Sequence, residues 1–181
     1  VFILPLLWVI FASFNPDAGV GLKLPSTWVI ENYQAVLNES KNVRSFGIGL
    51  LLSIGVATIE VVVCALASYP LSRYELRYKK SFMYTILFMS CLPMTALMIP
   101  AYKLFVQLHL MDSVLGVVLF MAATQLPYNM WMMKNFMDQV SIDLEEAAWV
   151  DGANKVKSLI HIVMPLMVPG LCTIGIHSFT S

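Results

Sequence analysis

Residues 143–153 carry the densest chemistry in the chain: Asp143-Leu144-Glu145-Glu146-Ala147-Ala148-Trp149-Val150-Asp151-Gly152-Ala153. Ser141, just upstream, can cap a helix, because its hydroxyl accepts an orphan amide hydrogen bond. Asp143, Glu145 and Glu146 then fall in the first turns, where carboxylates suit the positive end of the helix dipole. Leu144, Ala147 and Ala148 form a narrow face, and Gly152 permits the reversal that ends the helix. A second helical run over 154–164 is expected to stop at Pro165. Such a helix–turn–helix offers a partner close approach at its alanines and carboxylates for arginine. The plainer reading is a surface linker with solvated charges, and at this point both stand.

A second set of polar residues lies inside apolar sequence. Ser53, Ala57, Glu60, Cys64 and Ser68 recur at three- and four-residue steps, which places them on one helix face. Small residues on such a face let helices approach closely. A lipid-facing charge is costly, so Glu60 should face protein or a water-filled path. It either lines a transport route or is a protonated or hydrogen-bonded packing residue. Gln125 and Asn129 share a face four residues apart, with Pro127 between them. Glu60, Gln125 and Asn129 are therefore the candidate path residues. Pro127, like Pro93 and Pro100, marks either a loosened, moving helix or a fixed kink.

Other chemistries find little support. Cys64, Cys91 and Cys172 lie in apolar runs without ligand-like spacing, and His109, His161 and His177 form no HExxH pattern, so no metal site or cofactor is expected. No catalytic residue is assigned: His177 and Ser178 lie close to the chain end with no evident partner acid. The twelve methionines read as adaptable apolar filler.

The elements that position these residues follow from composition. The chain has 181 residues, 59% hydrophobic and 12% charged, with mean hydropathy +0.76. Soluble domains carry about 25% charged residues, so a lipid-facing surface is required. Net charge is zero, and no basic patch argues for nucleic acid. A span needs roughly 20 mostly apolar residues, and candidates fall at 1–14, 46–71, 82–105, 113–133 and 164–181. The expected fold is an all-α integral membrane bundle with about five spans, the first and last truncated. No cleavable signal peptide is read, since no basic leader precedes the first apolar run.

Loop 72–80 carries Arg73, Arg77, Lys79 and Lys80 against only Glu75, and the positive-inside bias places it in the cytoplasm. Tyr69, Tyr74 and Tyr78 cluster there as interfacial aromatics do. Alternation then puts 15–45 and 107–112 outside and 134–163 inside.

Glu146-Ala147-Ala148, Gly152, Ile162 and Met164-Pro165, at their spacing, resemble the EAA motif of binding-protein-dependent ATP-binding-cassette importer permeases. That family has leucine where this chain has Met164, and often proline near the start of the docking helix, where this chain has Ser141. Leu24-Pro-Ser-Thr-Trp-Val-Ile-Glu-Asn-Tyr-Gln-Ala-Val-Leu, Tyr69-Pro-Leu-Ser-Arg-Tyr, Ile99-Pro-Ala-Tyr and Leu126-Pro-Tyr-Asn-Met-Trp are similar to the carbohydrate branch, close to the smaller maltose-type subunit.

The resemblance implies a single permease domain over 1–181, part of a six-span subunit, with an extracytoplasmic loop at 15–45 and a cytoplasmic ATPase-docking loop at 134–165. It implies a multi-pass protein of a bacterial-type plasma (inner) membrane, set in the lipid bilayer. The implied partners are a cytoplasmic ABC ATPase dimer, a second permease subunit and an extracytoplasmic solute-binding protein. Docking would fall to Glu145, Glu146, Ala147, Ala148, Asp151, Gly152, Ala153, Ile162 and Pro165. The chain has no G-x-x-x-x-G-K-[ST] loop, so ATP is expected to be bound by the partner. The resemblance implies no enzyme activity in this chain, and import of a sugar or oligosaccharide by alternating access. An ATP-independent channel or secondary transporter is the alternative, with an intramembrane enzyme more remote.

Overall fold

A computed structural model describes residues 3–16 and 27–181. The start of the first apolar run and the 17–26 part of the long outer loop, including Leu24, Pro25 and Ser26, lie outside the described residues. The described elements are helical: α1 (Ile3–Ser13), α2 (Glu31–Asn38), α3 (Ser40–Arg73), α4 (Lys79–Met89), α5 (Met94–Gln107), α6 (Val114–Gln139), α7 (Ile142–Val150), α8 (Lys155–Ser158), α9 (Met164–Leu166) and α10 (Val168–Thr180). A π-helical segment, Leu159–Val163, joins α8 to α9.

The chain divides into two compact units, Val1–Leu50 and Leu51–Ser181. In the first, Trp28 and Tyr33 pack on Phe14. Asn32 donates to the carbonyls of Ser13 and Asn15, so part of the polar 15–45 segment is folded back on the end of α1.

In the second unit, α6 packs against α4 and α10. The core joins Cys64 and Leu71 of α3, Met83 and Ile86 of α4, Met130, Met133 and Met137 of α6, and Met167 and Ile174. Methionine fills this irregular seam well, being unbranched and polarizable. Val56 meets Val118 and Ala122 in a second cluster. The contacts Val56–Val118, Glu60–Asn129 and Ser72–Asp138 advance together along both helices. Thus α3 and α6 run parallel, and the basic linker after α3 and the loop after α6 lie at the same end of the unit. That is the relation the charge-based topology requires.

The helices run further than the apolar runs suggest. The second span reaches Ser40–Arg73 and the fourth Val114–Gln139. Lys134 and Asp138 pair one turn apart on α6, which lets the helix continue past its last apolar residues. Residues 134–139, expected in the loop that follows, therefore belong to α6.

The third span is not straight. It is split into α4 and α5, bent by 96°, with Pro93 at the N-cap of α5. Proline disfavours a helical residue before it, so the chain breaks at 90–93, while Pro70, Pro100 and Pro127 stay inside helices. Among the described residues, α3 and α6 are each long and apolar enough to cross a bilayer. The α4–α5 pair and a second bent pair reaching α10 would raise that number to four, and α1 is a shorter apolar helix.

Candidate functional site

The 140–153 segment folds as its residue choices dictate. The Ser141 hydroxyl caps α7 by accepting from the Asp143 amide at 3.3 Å. At the other end Gly152 sits at φ +87°, a left-handed conformation that glycine takes without a Cβ penalty. Its amide donates to the Trp149 carbonyl at 3.0 Å, and the Ala153 amide donates to the Ala148 carbonyl at 2.9 Å. These are bonds of the kind that close a glycine-capped helix end. Asn154 caps the next helix by accepting from the Lys157 amide at 2.8 Å.

Pro165 does not stop this second helix as expected. The chain stays helical to Leu166 and bends by 68° before α10. Pro165 cannot donate to the preceding turn, and the π segment just before it, closed by the Met164 amide on the Leu159 carbonyl, absorbs the irregularity.

The main departure from expectation concerns Glu145, expected among the docking residues. Its side chain is fully buried. The Arg73 Nε lies 2.5 Å from its Oε1, and the Tyr69 hydroxyl donates to its Oε2 at 3.0 Å. The same guanidinium donates from Nη2 to the Val140 carbonyl at 2.9 Å. Ser72 donates to Asp138 at 2.6 Å beside it. Lys155 lies over the rings of Tyr74 and Trp149. Ala148, close to Glu145 on the same helix, is also turned inward.

This leaves Glu146, Ala147, Asp151 and Gly152 on the outer side of α7, together with Val150, which is 88% exposed. Ala153 and Ile162 are half-buried and Pro165 is exposed. Tyr69 and Arg73 do not stand out as site residues in the sequence. Their four-residue spacing at the end of an apolar helix is the available signal, since it puts a hydroxyl and a guanidinium on one face.

The candidate path residues are partly brought together. Asn129 of α6 donates to Glu60 of α3, and Ser178 of α10 donates to the same Glu60 oxygen at 2.5 Å. All three are buried. Ser178 is thus supplied with the partner acid that the sequence did not reveal. The hydroxyl and the carboxylate meet directly; His177 instead packs its ring on Tyr128 at 5.4 Å. Gln125 lies one turn from Asn129 and is half-buried. Among the described residues, no group of three or more His, Cys, Asp or Glu is arranged to hold a metal.

Residues 61–181 match the family described as binding-protein-dependent transport system inner membrane component. The chain belongs to this family. The matched region takes in the docking-loop candidate, α6 and α10, and begins one residue after Glu60.

Members with similar sequences include the trehalose transport system permease protein of Mycobacterium tuberculosis, 31% identical over 98% of this chain and 65% of its own length. The sulfoquinovosyl glycerol transport system permease protein of Agrobacterium fabrum is 28% identical over 98% of this chain and 64% of its own length. The maltodextrin transport system permease protein of Bacillus subtilis is 25% identical over 99% and 65%. The chain therefore spans just under two thirds of the length of these relatives.

Proposed function

We propose that the chain is part of a permease subunit in an ATP-driven importer. The observation that carries this reading is α7: a short helix capped at both ends, pinned from within by Glu145, and presenting Glu146, Ala147, Val150 and Asp151 outward. A rigid helix with a carboxylate, a small residue and a protruding apolar tip fits a groove lined with a basic residue. In this reading a cytoplasmic ATPase dimer receives α7. Glu146 pairs with one of its basic residues, and Ala147 lets the helix approach closely. Asp151, Gly152, Ala153, Ile162 and Pro165 shape the turn and the return to the bundle.

A second permease subunit completes the solute path, and an extracytoplasmic binding protein delivers the solute. ATP-driven closure of the ATPase pair then alternates access across the bilayer. Glu60 and Asn129, bonded to each other and to Ser178, hold the bundle behind that path rather than facing lipid.

The relatives' names point to trehalose, maltodextrin and sulfoquinovosyl glycerol, so the proposed cargo is a sugar, oligosaccharide or glycoside. Uptake of labelled mono- and oligosaccharides by cells carrying the complete transporter tests this. ATP-dependent uptake of at least one sugar is expected. Competition by amino acids or peptides only would overturn the cargo, and flux persisting without ATP or ATPase would overturn the importer.

A further inference from the structure

We infer that α3 carries displacement of α7 into the bundle, through a clamp of Tyr69, Arg73 and Glu145; this rests on the docking reading above. The covalent route from α7 to α6 is not a continuous helix. Val140 and Ser141 are both extended, at ψ 118° and 134°, so the two helices meet at a joint that interrupts the helical backbone. At its other end α7 leaves through the Gly152 reversal.

A side-chain route bypasses both joints. Both oxygens of Glu145 are held, one by Arg73 at 2.5 Å and one by Tyr69 at 3.0 Å. Arg73 also grips the Val140 carbonyl, so one guanidinium fixes the joint and the helix together. The Arg73 and Glu145 side chains are 8% and 0% exposed, and a pair so shielded is little screened by salt.

From this clamp α3 runs unbroken to Glu60, about 20 Å away at 1.5 Å per residue. There it is bonded to α6 through Asn129 and to α10 through Ser178. The helix so links the docking loop to a buried node where three helices meet. Arg73 is a positioning residue, acting through Glu145.

The test uses the complete transporter in proteoliposomes, reading ATPase bound per permease, ATP hydrolysed and labelled solute taken up. In Arg73→Gln, ATPase should remain bound while solute moved per ATP falls about five-fold or more, the scale of an ordinary coupling free energy. Arg73→Lys should not restore it, since an ammonium cannot reproduce the two-acceptor fork. Should Arg73→Gln fail to insert, Tyr69→Phe removes one bond only and should lower solute per ATP by a smaller factor. Unchanged solute per ATP in the inserted variants overturns the inference. So does loss of ATPase binding in proportion to loss of uptake, which would make the clamp a folding contact only. Glu146→Lys is the control: normal ATPase binding and uptake there would overturn the docking reading instead.

Discussion

Arg73 and Glu145 lie 72 positions apart in sequence, yet their side chains form a buried ion pair at 2.5 Å. The pair sets two adjacent acids to different tasks. Glu145 faces into the protein and holds α7 against the end of α3, while Glu146 faces out. Breaking a buried pair by removing one partner strands a charge and is far costlier than removing an exposed one.

Glu145→Ala should therefore destabilise the full-length subunit by about 3–5 kcal/mol, whereas Glu146→Ala should stay within about 0.5 kcal/mol of the parent. Thermal unfolding in detergent checks the contrast. Equal midpoints for the two variants would mean the pair is not formed.

Gly152 sits at φ +87°, and a Cβ added there would meet no atom within 4 Å, so its requirement is conformational rather than steric. Gly152→Ala should cost about 1–2 kcal/mol, and Gly152→Asn less, because asparagine tolerates the left-handed region. The order of the thermal midpoints, glycine above asparagine above alanine, is the check.

The Glu60 node predicts a ranking by hydrogen-bonding capacity. Glu60→Gln keeps an oxygen for Asn129 and Ser178 and should insert and unfold close to the parent. Glu60→Leu removes the acceptor of both and leaves the Ser178 hydroxyl without one, while Asn129 keeps its bond to Ser178, at a cost of about 1–3 kcal/mol for the group left unsatisfied. Unfolding in detergent separates the two, and a leucine variant as stable as the glutamine variant would contradict the node.

Gly170 marks a close approach of α10 to α6. A Cβ there would meet Cγ of Phe136 at 2.8 Å and its Cβ at 2.9 Å. Gly170→Ala should push the helices apart at a cost of about 1–3 kcal/mol, read as a lowered thermal midpoint in detergent. A Gly170→Ala variant as stable as the parent would contradict the close approach.

Local features were legible in the sequence because local residue choice causes them. Ser141 and Gly152 cap α7 as their chemistry dictates, and Glu60, Cys64 and Ser68 share the buried face that their spacing implies. The helix ends are harder to read, since apolar runs stop near Lys134 while the Lys134–Asp138 pair lets the helix continue. At 90–93 the sequence signals a proline-softened span and no more, because proline alone does not distinguish a kink from a sharp break; Pro100 and Pro127 are accommodated within helices. What the sequence could not show is pairing at long range. A charged residue in a loop reads as solvated unless its partner is known, and the partner of Glu145 lies on another helix. Ser178 looks unpaired for the same reason: its acid is 118 positions away.

The most direct measurement of the central claim is capture of the ATPase by the full-length subunit carrying Glu146→Lys, alongside ATP-dependent uptake and membrane insertion. The outward carboxylate is the proposed contact, so charge reversal should leave insertion normal. It should reduce both ATPase capture and uptake by about tenfold or more, the scale of a charge-pair contribution of about 1.4 kcal/mol or above. Normal capture and normal uptake in a properly inserted Glu146→Lys subunit would contradict α7 as the docking element.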